Sequence, residues 1–354
     1  MTTAHSSKAT YNTAFERLSH AAPVLVLGGV DSPSPSRQGA VCSVLTGGSM
    51  RVAVVGLGKM GAALSRRLLS QGVDVSVWNR TPTAADDLVA TGASRVTALG
   101  SVWDAADTVF TFLADDRAVE AVCLGDNGLF EAAHAGALLV EMSTISPAAS
   151  MSLAAGAAVQ ALHYLRCPVS GNPGVLAAGN LTLIVSGERS AFEDANELLS
   201  LVGSTVIYVG GSEEARVIKL AVNAMLAATA EMLAESITLC EAAGVDRSVL
   251  LDVLTHSAVG SPIIAYKRDP LNRRDYSATF TTAMLAKDLQ LVAGVGETVA
   301  VPLPVTNLVA KLANDSCDEQ LGDLDFLALL PHLQALAGRP TDVPVVRAGT
   351  PPGD

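Results

Sequence analysis

Residues 51–72 read RVAVVGLGKMGAALSRRLLSQG. VAVV is a β-branched apolar run, GLGKMG is a turn, and Met60, Ala63, Leu64, Leu68 and Leu69 then recur at helical spacing until Gly72 ends the pattern. Strand, glycine turn and helix in that order predict the opening unit of a parallel sheet covered by helices. The three glycines meet different physical needs. Gly56 permits the tight turn, Gly58 lets the backbone approach a pyrophosphate, and Gly61 permits close packing of helix on strand. The helix N-terminus adds oriented N–H groups for an anion. The glycine spacing alone is a weak signal, but its place between a strand and a helix predicts dinucleotide binding.

The stretch that follows, VDVSVWNRTP at 73–82, reads as a second strand that stops on Trp78, with Asn79, Arg80 and Thr81 at the turn. The residue ending this strand faces the adenosine ribose, where an acid would accept hydrogen bonds from both hydroxyls and repel a 2′-phosphate. No acid stands here. Asn79 carries no charge, Arg80 offers a planar guanidinium for a phosphate and for adenine stacking, and Thr81 adds a hydroxyl. The expected cofactor is NADP(H), against the plainer reading of Arg80 as a solvated surface side chain.

Farther along, helical stretches at TAADDLVATG and AVEAVCLG alternate with strands at DTVFTFLA and ALLVEMS. A weaker alternation continues through LHYLRCPVSG, LTLIVSG, SAFEDANELLSLVG and TVIYVGG. Residues 213–243 then contain neither Gly nor Pro and are rich in Ala, Leu and Glu, which predicts one long helix ending at Gly244. Helices are expected at 247–256, 280–294, 303–314 and near 323–337, with no further strand. The predicted organisation is an α/β Rossmann-type domain over 50–212, joined by the long helix to an all-α domain over 213–338. Residues 1–49 are expected to be a partly disordered extension, and 339–354, ending PTDVPVVRAGTPPGD, a flexible tail.

The charge balance narrows the class of partner. With 23 Lys plus Arg against 35 Asp plus Glu, the net charge of -12 disfavours nucleic acid and anionic membrane. The five cysteines (Cys42, Cys123, Cys167, Cys240 and Cys317) are odd in number and lack C-x-x-C spacing, so no disulfide framework or metal site is expected. The early apolar run AAPVLVLGGV is too short and too broken to span a bilayer, and SPSPSRQG follows where a signal cleavage site would stand. A cytoplasmic protein acting on a small molecule is the expectation.

Four segments carry candidate chemistry. EMSTISP (141–147) lies at the carboxyl end of a strand, where ligands of open α/β sheets sit, although Ser/Thr before Pro also caps helices. PVSGNPG (168–174) reads as a loop that could hold an anion through Ser170 and backbone N–H groups, or simply as a turn. Lys219 and Asn223 lie four apart on the long helix, hence on one face, in an apolar neighbourhood. A partly desolvated lysine can give and take a proton at moderate pH; a snorkelling lysine is the alternative. Lys287 and Asp288 form a lone charged pair in FTTAMLAKDLQLV, which by itself reads as a solvated face.

In their order, GLGKMG, EMSTISP, PVSG, the K-x-x-x-N of Lys219 and Asn223, and AKDL resemble the β-hydroxyacid dehydrogenases. That group includes 3-hydroxyisobutyrate and tartronate semialdehyde enzymes and, more distantly, 6-phosphogluconate dehydrogenase. The resemblance runs from Met50 to about Leu336. It implies an active site in the cleft between the two domains and hydride exchange between nicotinamide and the hydroxyl-bearing carbon. Lys219 would be the general acid/base and Asn223 would orient substrate. Ser143, Ser170 and Gly171 would hold a substrate carboxylate, and Thr144 and Lys287 would meet the cofactor, as would Leu57, Met60 and Leu113 beside the glycines. A homodimer through the long helix is also implied, with Ala227, Ala228 and Ala230 as small residues that allow close helix approach.

The chain departs from the family pattern in places. Asn172 stands where a second Gly is usual, Val222 precedes Asn223 where a second Asn is frequent, and Arg166-Cys167 precede Pro168 in place of an acid and a small residue. These changes leave the expected chemistry intact and the substrate open. Imine reductases resemble the family and share a similar N-R-T segment, but usually replace the lysine. A cofactor-binding assembly module without activity would also be expected to lose it, so Lys219 and Asn223 favour the dehydrogenase over both.

Overall fold

The computed structural model describes residues 50–345. The N-terminal extension expected over 1–49 lies outside the described residues, as do 346–354. Among the described residues the strands are β1 (Arg51–Val55), β2 (Asp74–Trp78), β3 (Ser94–Arg95), β4 (Thr108–Thr111), β5 (Leu138–Glu141), β6 (His163–Arg166), β7 (Val169–Ser170), β8 (Thr182–Gly187) and β9 (Thr205–Gly210). They form one sheet in the order β3-β2-β1-β4-β5-β6-β8-β7, with β9 on the other side of β8. The strands from β3 to β6 run parallel, and β8 is antiparallel to β6 and β7.

Helices α1 (Lys59–Ser70), α2 (Asp86–Ala90), α3 (Val102–Ala105), α4 (Asp116–Cys123), α5 (Pro147–Val159), α6 (Pro173–Ala177) and α7 (Arg189–Val202) connect and cover these strands. Strand residues alternate between two cores, as period-2 geometry requires. Val52, Val54, Phe110 and Val140 pack beneath Leu64 and Leu68 of α1 and Leu198 of α7. Ala53, Val55, Val109 and Leu139 face Trp103, Val119 and Leu153. Covering on both faces explains why these strands read as continuous apolar runs. Fully burying a leucine such as Leu64 contributes about 1.5–3 kcal/mol.

After β9 come α8 (Glu214–Ala242), α9 (Arg247–His256), α10 (Pro262–Arg273), α11 (Thr282–Thr298), α12 (Pro304–Ser316) and α13 (Leu329–Leu336). The expected class, a Rossmann-type α/β part followed by a helical part entered through one long helix, is what the chain adopts. By length and composition α8 could cross a bilayer. One face of it packs in the helical core, where Ala227, Ala230, Leu233, Ala234 and Ile237 cluster with Leu285, Leu289, Val309 and Leu329.

Several expectations are corrected. Helix α10 is absent from the sequence reading because Pro270 interrupts its pattern; the ring is tolerated near the C-terminus, and the helix ends on Arg274 in a left-handed conformation. Residues 168–174, expected as a loop, supply β7 and the start of α6, which Asn172 caps by accepting the Val175 N–H at 3.1 Å. Ala227 and Ala230 face the chain's own core and are not available to a second copy. The tail drawn from 339 is packed as far as Val345: Val343 and Val345 lie on the helical core, and Asp342 is buried among Arg247, Arg274 and Tyr276. The pair at 287–288 is not a solvated face, since Asp288 is buried between Leu285 and Leu289.

Candidate active site

The glycine turn is shaped by close contacts. Gly56 has φ +92°, and a Cβ there would stand 2.3 Å from the Phe112 carbonyl oxygen and 2.9 Å from a Leu113 methyl. A Cβ on Gly61 would meet the Gly56 oxygen at 1.8 Å. Gly58 differs, because among the described residues nothing lies within 4 Å of the position its Cβ would take. The fold therefore needs Gly56 and Gly61 for its own packing, while the space at Gly58 is open at the N-terminus of α1. Among the described residues no side chain caps that terminus, and no acid sits in its first turn. Oriented amides beside open space suit a diphosphate, so the residues fit a dinucleotide. Leu57 is buried and Met60 half-buried beside this turn.

Asn79 braces the same turn. Its Oδ1 accepts the Leu57 N–H at 3.0 Å and its Nδ2 donates to the Thr81 carbonyl at 3.0 Å, while the Gly56 N–H donates to the Trp78 carbonyl at 3.0 Å. Its side chain is thus engaged in holding β2 to the glycine loop. Arg80 and Thr81 are exposed. The Arg80 guanidinium makes no hydrogen bond or ion pair within the described residues, so it is available to a ligand.

On the helical part, Lys219 lies in the second turn of α8 and its Nζ donates to Asn223 Oδ1 at 2.8 Å. Asn223 Nδ2 donates to Asp288 Oδ2 at 2.5 Å, and Asp288 Oδ1 pairs with Lys287 Nζ at 2.9 Å. Lys287 Nζ also donates to the Thr144 carbonyl at 2.7 Å, which carries this chain of bonds from the helical part to the loop after β5. Burial pushes the Lys219 ammonium down to about 8, with Asp288 opposing the shift and Lys287 adding to it. Burial likewise raises the Asp288 carboxyl, against the pull of Lys287, Lys219 and the Asn223 bond. An ammonium has three donors. One goes to Asn223, which leaves two to meet a substrate oxygen.

Ser143 is buried, and its Oγ accepts the Leu113 N–H at 2.8 Å. Glu141 Oε1 takes the Ser143 N–H at 2.8 Å, and Arg216 Nη1 donates to the Ser143 carbonyl at 2.7 Å. Ser170 ends β7 and is not hydrogen-bonded to the Lys219 chain. Gly171 follows at φ +141°, where a Cβ would lie 2.5 Å from a Leu181 methyl, so this backbone accepts only glycine.

Sequence reasoning missed Asp288, Glu141 and Arg216 as parts of the site. A signal existed for Asp288: with Leu285, Leu289 and Val292 it falls on the buried stripe of α11, where a carboxylate needs a partner. Arg166, noted only as a departure, donates from Nε to Glu213 Oε1 at 2.7 Å and so closes a buried ion pair at the entry to α8.

Comparison with known proteins agrees with this architecture. Residues 51–210 match the family model of the NAD binding domain of 6-phosphogluconate dehydrogenase, and residues 214–333 match that of the NAD-binding of NADP-dependent 3-hydroxyisobutyrate dehydrogenase. The chain is 31% identical to the NAD-dependent L-serine dehydrogenase of Pseudomonas aeruginosa over 78% of its own length and 95% of that protein's. It is 28% identical to the chloroplastic glyoxylate/succinic semialdehyde reductase 2 of Arabidopsis thaliana over 82% of each. A solved structure of Psf3 in complex with NADP+ and 2-OPP superposes with a TM-score of 0.75 at 28% identity, covering 80% of this chain and 99% of that one. With the glycine turn, the two-part fold and Lys219 in its chain of bonds, these matches show that the chain belongs to the β-hydroxyacid dehydrogenases, a family of NAD(P)-dependent dehydrogenases and reductases.

Proposed function

We propose that the protein is an NADP(H)-dependent oxidoreductase that interconverts a small 3-hydroxy acid and its semialdehyde, with Lys219 as general acid/base. The observation that carries this reading is the Lys219 ammonium, held by Asn223, which Asp288 holds in turn, and brought by burial to about 8. A bound nicotinamide supplies or accepts the hydride. In reduction Lys219 gives its proton to the carbonyl oxygen as negative charge gathers there, and in oxidation its neutral amine removes the hydroxyl proton. Asn223 fixes the amine and orients substrate; Asp288 holds Asn223 and balances the ammonium.

Ser143, Ser170 and Gly171 take the substrate carboxylate. At Ser143 the oxygen is already occupied by the Leu113 N–H, which leaves the hydroxyl proton to be donated. Gly56, Leu57, Gly58, Met60, Gly61, Leu113, Thr144 and Lys287 would line the dinucleotide. Arg80 and Thr81 would meet the 2′-phosphate, with Asn79 bracing their turn and removing the repulsion an acid would exert. The relatives' names divide between NAD and NADP+, so the preference for NADP(H) rests on Arg80.

We also propose a cytoplasmic homodimer. Ile218, Val222, Met225, Met232 and Leu239 are exposed on a single face of α8, an apolar stripe suited to a second copy.

The decisive experiment offers NADPH and NADP+ with short hydroxy acids, semialdehydes and cyclic imines to the protein and to Lys219→Ala. Turnover of the acids or semialdehydes that falls by about 10²–10⁴ in the variant, with cofactor affinity retained, is the expected result. Turnover confined to imines, or unchanged by the substitution, would overturn the reading.

A further inference from the structure

Two buried ion pairs moor the start of α8 to the sheet, and one of them reaches into the site. Arg216 is 1% exposed and its partner Glu141 fully buried. The guanidinium contacts four groups: the Glu141 carboxylate, the Ser143 carbonyl at 2.7 Å, the Tyr164 hydroxyl at 3.1 Å and the Ser150 hydroxyl at 3.3 Å. These belong to β5, the loop after it, β6 and α5. Arg216 is three residues before Lys219, one turn earlier on the same helix.

The Ser143 peptide is consequently held on every polar atom. Its N–H goes to Glu141, its carbonyl to Arg216 and its Oγ to Leu113. Arg166 and Glu213 form a separate pair at the entry to α8, while Ser186 Oγ donates to the Ser212 carbonyl at 2.6 Å. Anchoring the helix therefore does not depend on Arg216 alone.

Stability gives little reason for an ion pair at such depth, since the cost of desolvating both charges commonly cancels their attraction and apolar residues of equal volume serve as well. A planar fork of five donors offers something else: one rigid group can meet four acceptors in fixed directions. We propose that Arg216 is a positioning residue, which sets the Ser143 peptide against the turn of α8 that bears Lys219. It thereby fixes the distance between the carboxylate-binding loop and the amine that moves the proton. This rests on the assignment of Lys219 and Ser143 above.

Arg216→Lys keeps a charge beside Glu141 but not the fork, and the double variant Arg216→Met with Glu141→Met removes both charges at similar volume. Each is compared with the parent for thermal midpoint, NADPH affinity, kcat and KM of the best substrate, and amide hydrogen exchange over 142–146. We expect a folded protein that binds NADPH as the parent does, with kcat/KM for the acid lowered about 100-fold, a raised KM, and faster exchange confined to 142–146. Parental kcat/KM in Arg216→Lys would overturn the proposal. So would a fall in NADPH affinity in step with the thermal midpoint, which marks a purely structural role. If the parent turns over none of the panel, the functional reading fails separately, and unchanged exchange over 142–146 would still overturn the role of Arg216.

Discussion

A lysine ammonium half withdrawn from water gives up its proton more readily than one in bulk, and this fixes how the rate must vary with pH. Reduction requires the charged form of Lys219, so its kcat/KM should be level below about 8 and fall as pH rises through that value. Oxidation requires the neutral amine and should rise over the same interval. Profiles in both directions without an inflection between about 7 and 9 would remove Lys219 from the reaction. In the turn after β2, Arg80 is exposed and makes no hydrogen bond or ion pair among the described residues. A hydrogen bond to a charged group contributes about 1.5–3 kcal/mol, so Arg80→Ala should cut the preference for NADPH over NADH by about 10–100-fold in parallel kcat/KM measurements. An unchanged ratio would return Arg80 to the role of a surface arginine.

Among the elements, the glycine turn separates packing from binding. A Gly58→Ala methyl meets nothing within 4 Å among the described residues, so the thermal midpoint should hold while NADPH affinity falls at least about tenfold by fluorescence titration. Gly56→Ala, with φ +92° and a backbone oxygen in the way, should lower the midpoint as well. This turn was legible in the sequence because glycine spacing, strand and helix are all local. So were the strand alternation and the long helix, whose signal is composition. What was not legible depends on partners distant along the chain. Asp288 looked solvated beside Lys287 because its hydrogen-bond partner Asn223 is 65 residues away, and the Arg216–Glu141 pair spans 75. Helix α10 was hidden by Pro270, whose local preference is overridden by the packing of Ile264 and Leu271 in the helical core. Asn172, which looked like a lost glycine, is spent on capping α6.

At the scale of the whole molecule, the proposed dimer and the packed C-terminal segment each carry a test. Met225→Lys combined with Leu239→Lys places two charges on the exposed stripe of α8, and light scattering should then report a monomer if that stripe is the contact. The Asp342 side chain is 4% exposed and accepts from Arg247 at 2.6 and 3.0 Å, from Arg274 at 2.9 Å, from Tyr276 at 2.7 Å and from Gln334 at 3.4 Å. Burial opposes its ionisation, but the bonds from Arg247 and Tyr276 hold its carboxyl below the usual range. Its stabilisation is therefore complete at neutral pH and is lost as acid takes the pH below the ordinary aspartate value of about 3.9. Asp342→Ala leaves the buried Arg247 guanidinium with Glu241 as its remaining carboxylate at 2.8 Å, and the lost charged hydrogen bonds should cost about 1.5–3 kcal/mol, read as a lower midpoint in thermal unfolding. Hydropathy alone would invite a cut at Gly338, just past the last helix. A protein shortened there would lose an acceptor that Arg247, Arg274, Tyr276 and Gln334 share, so a protease nick between 339 and 345 should loosen α9, α10 and the stretch after α10 together, although it touches none of them.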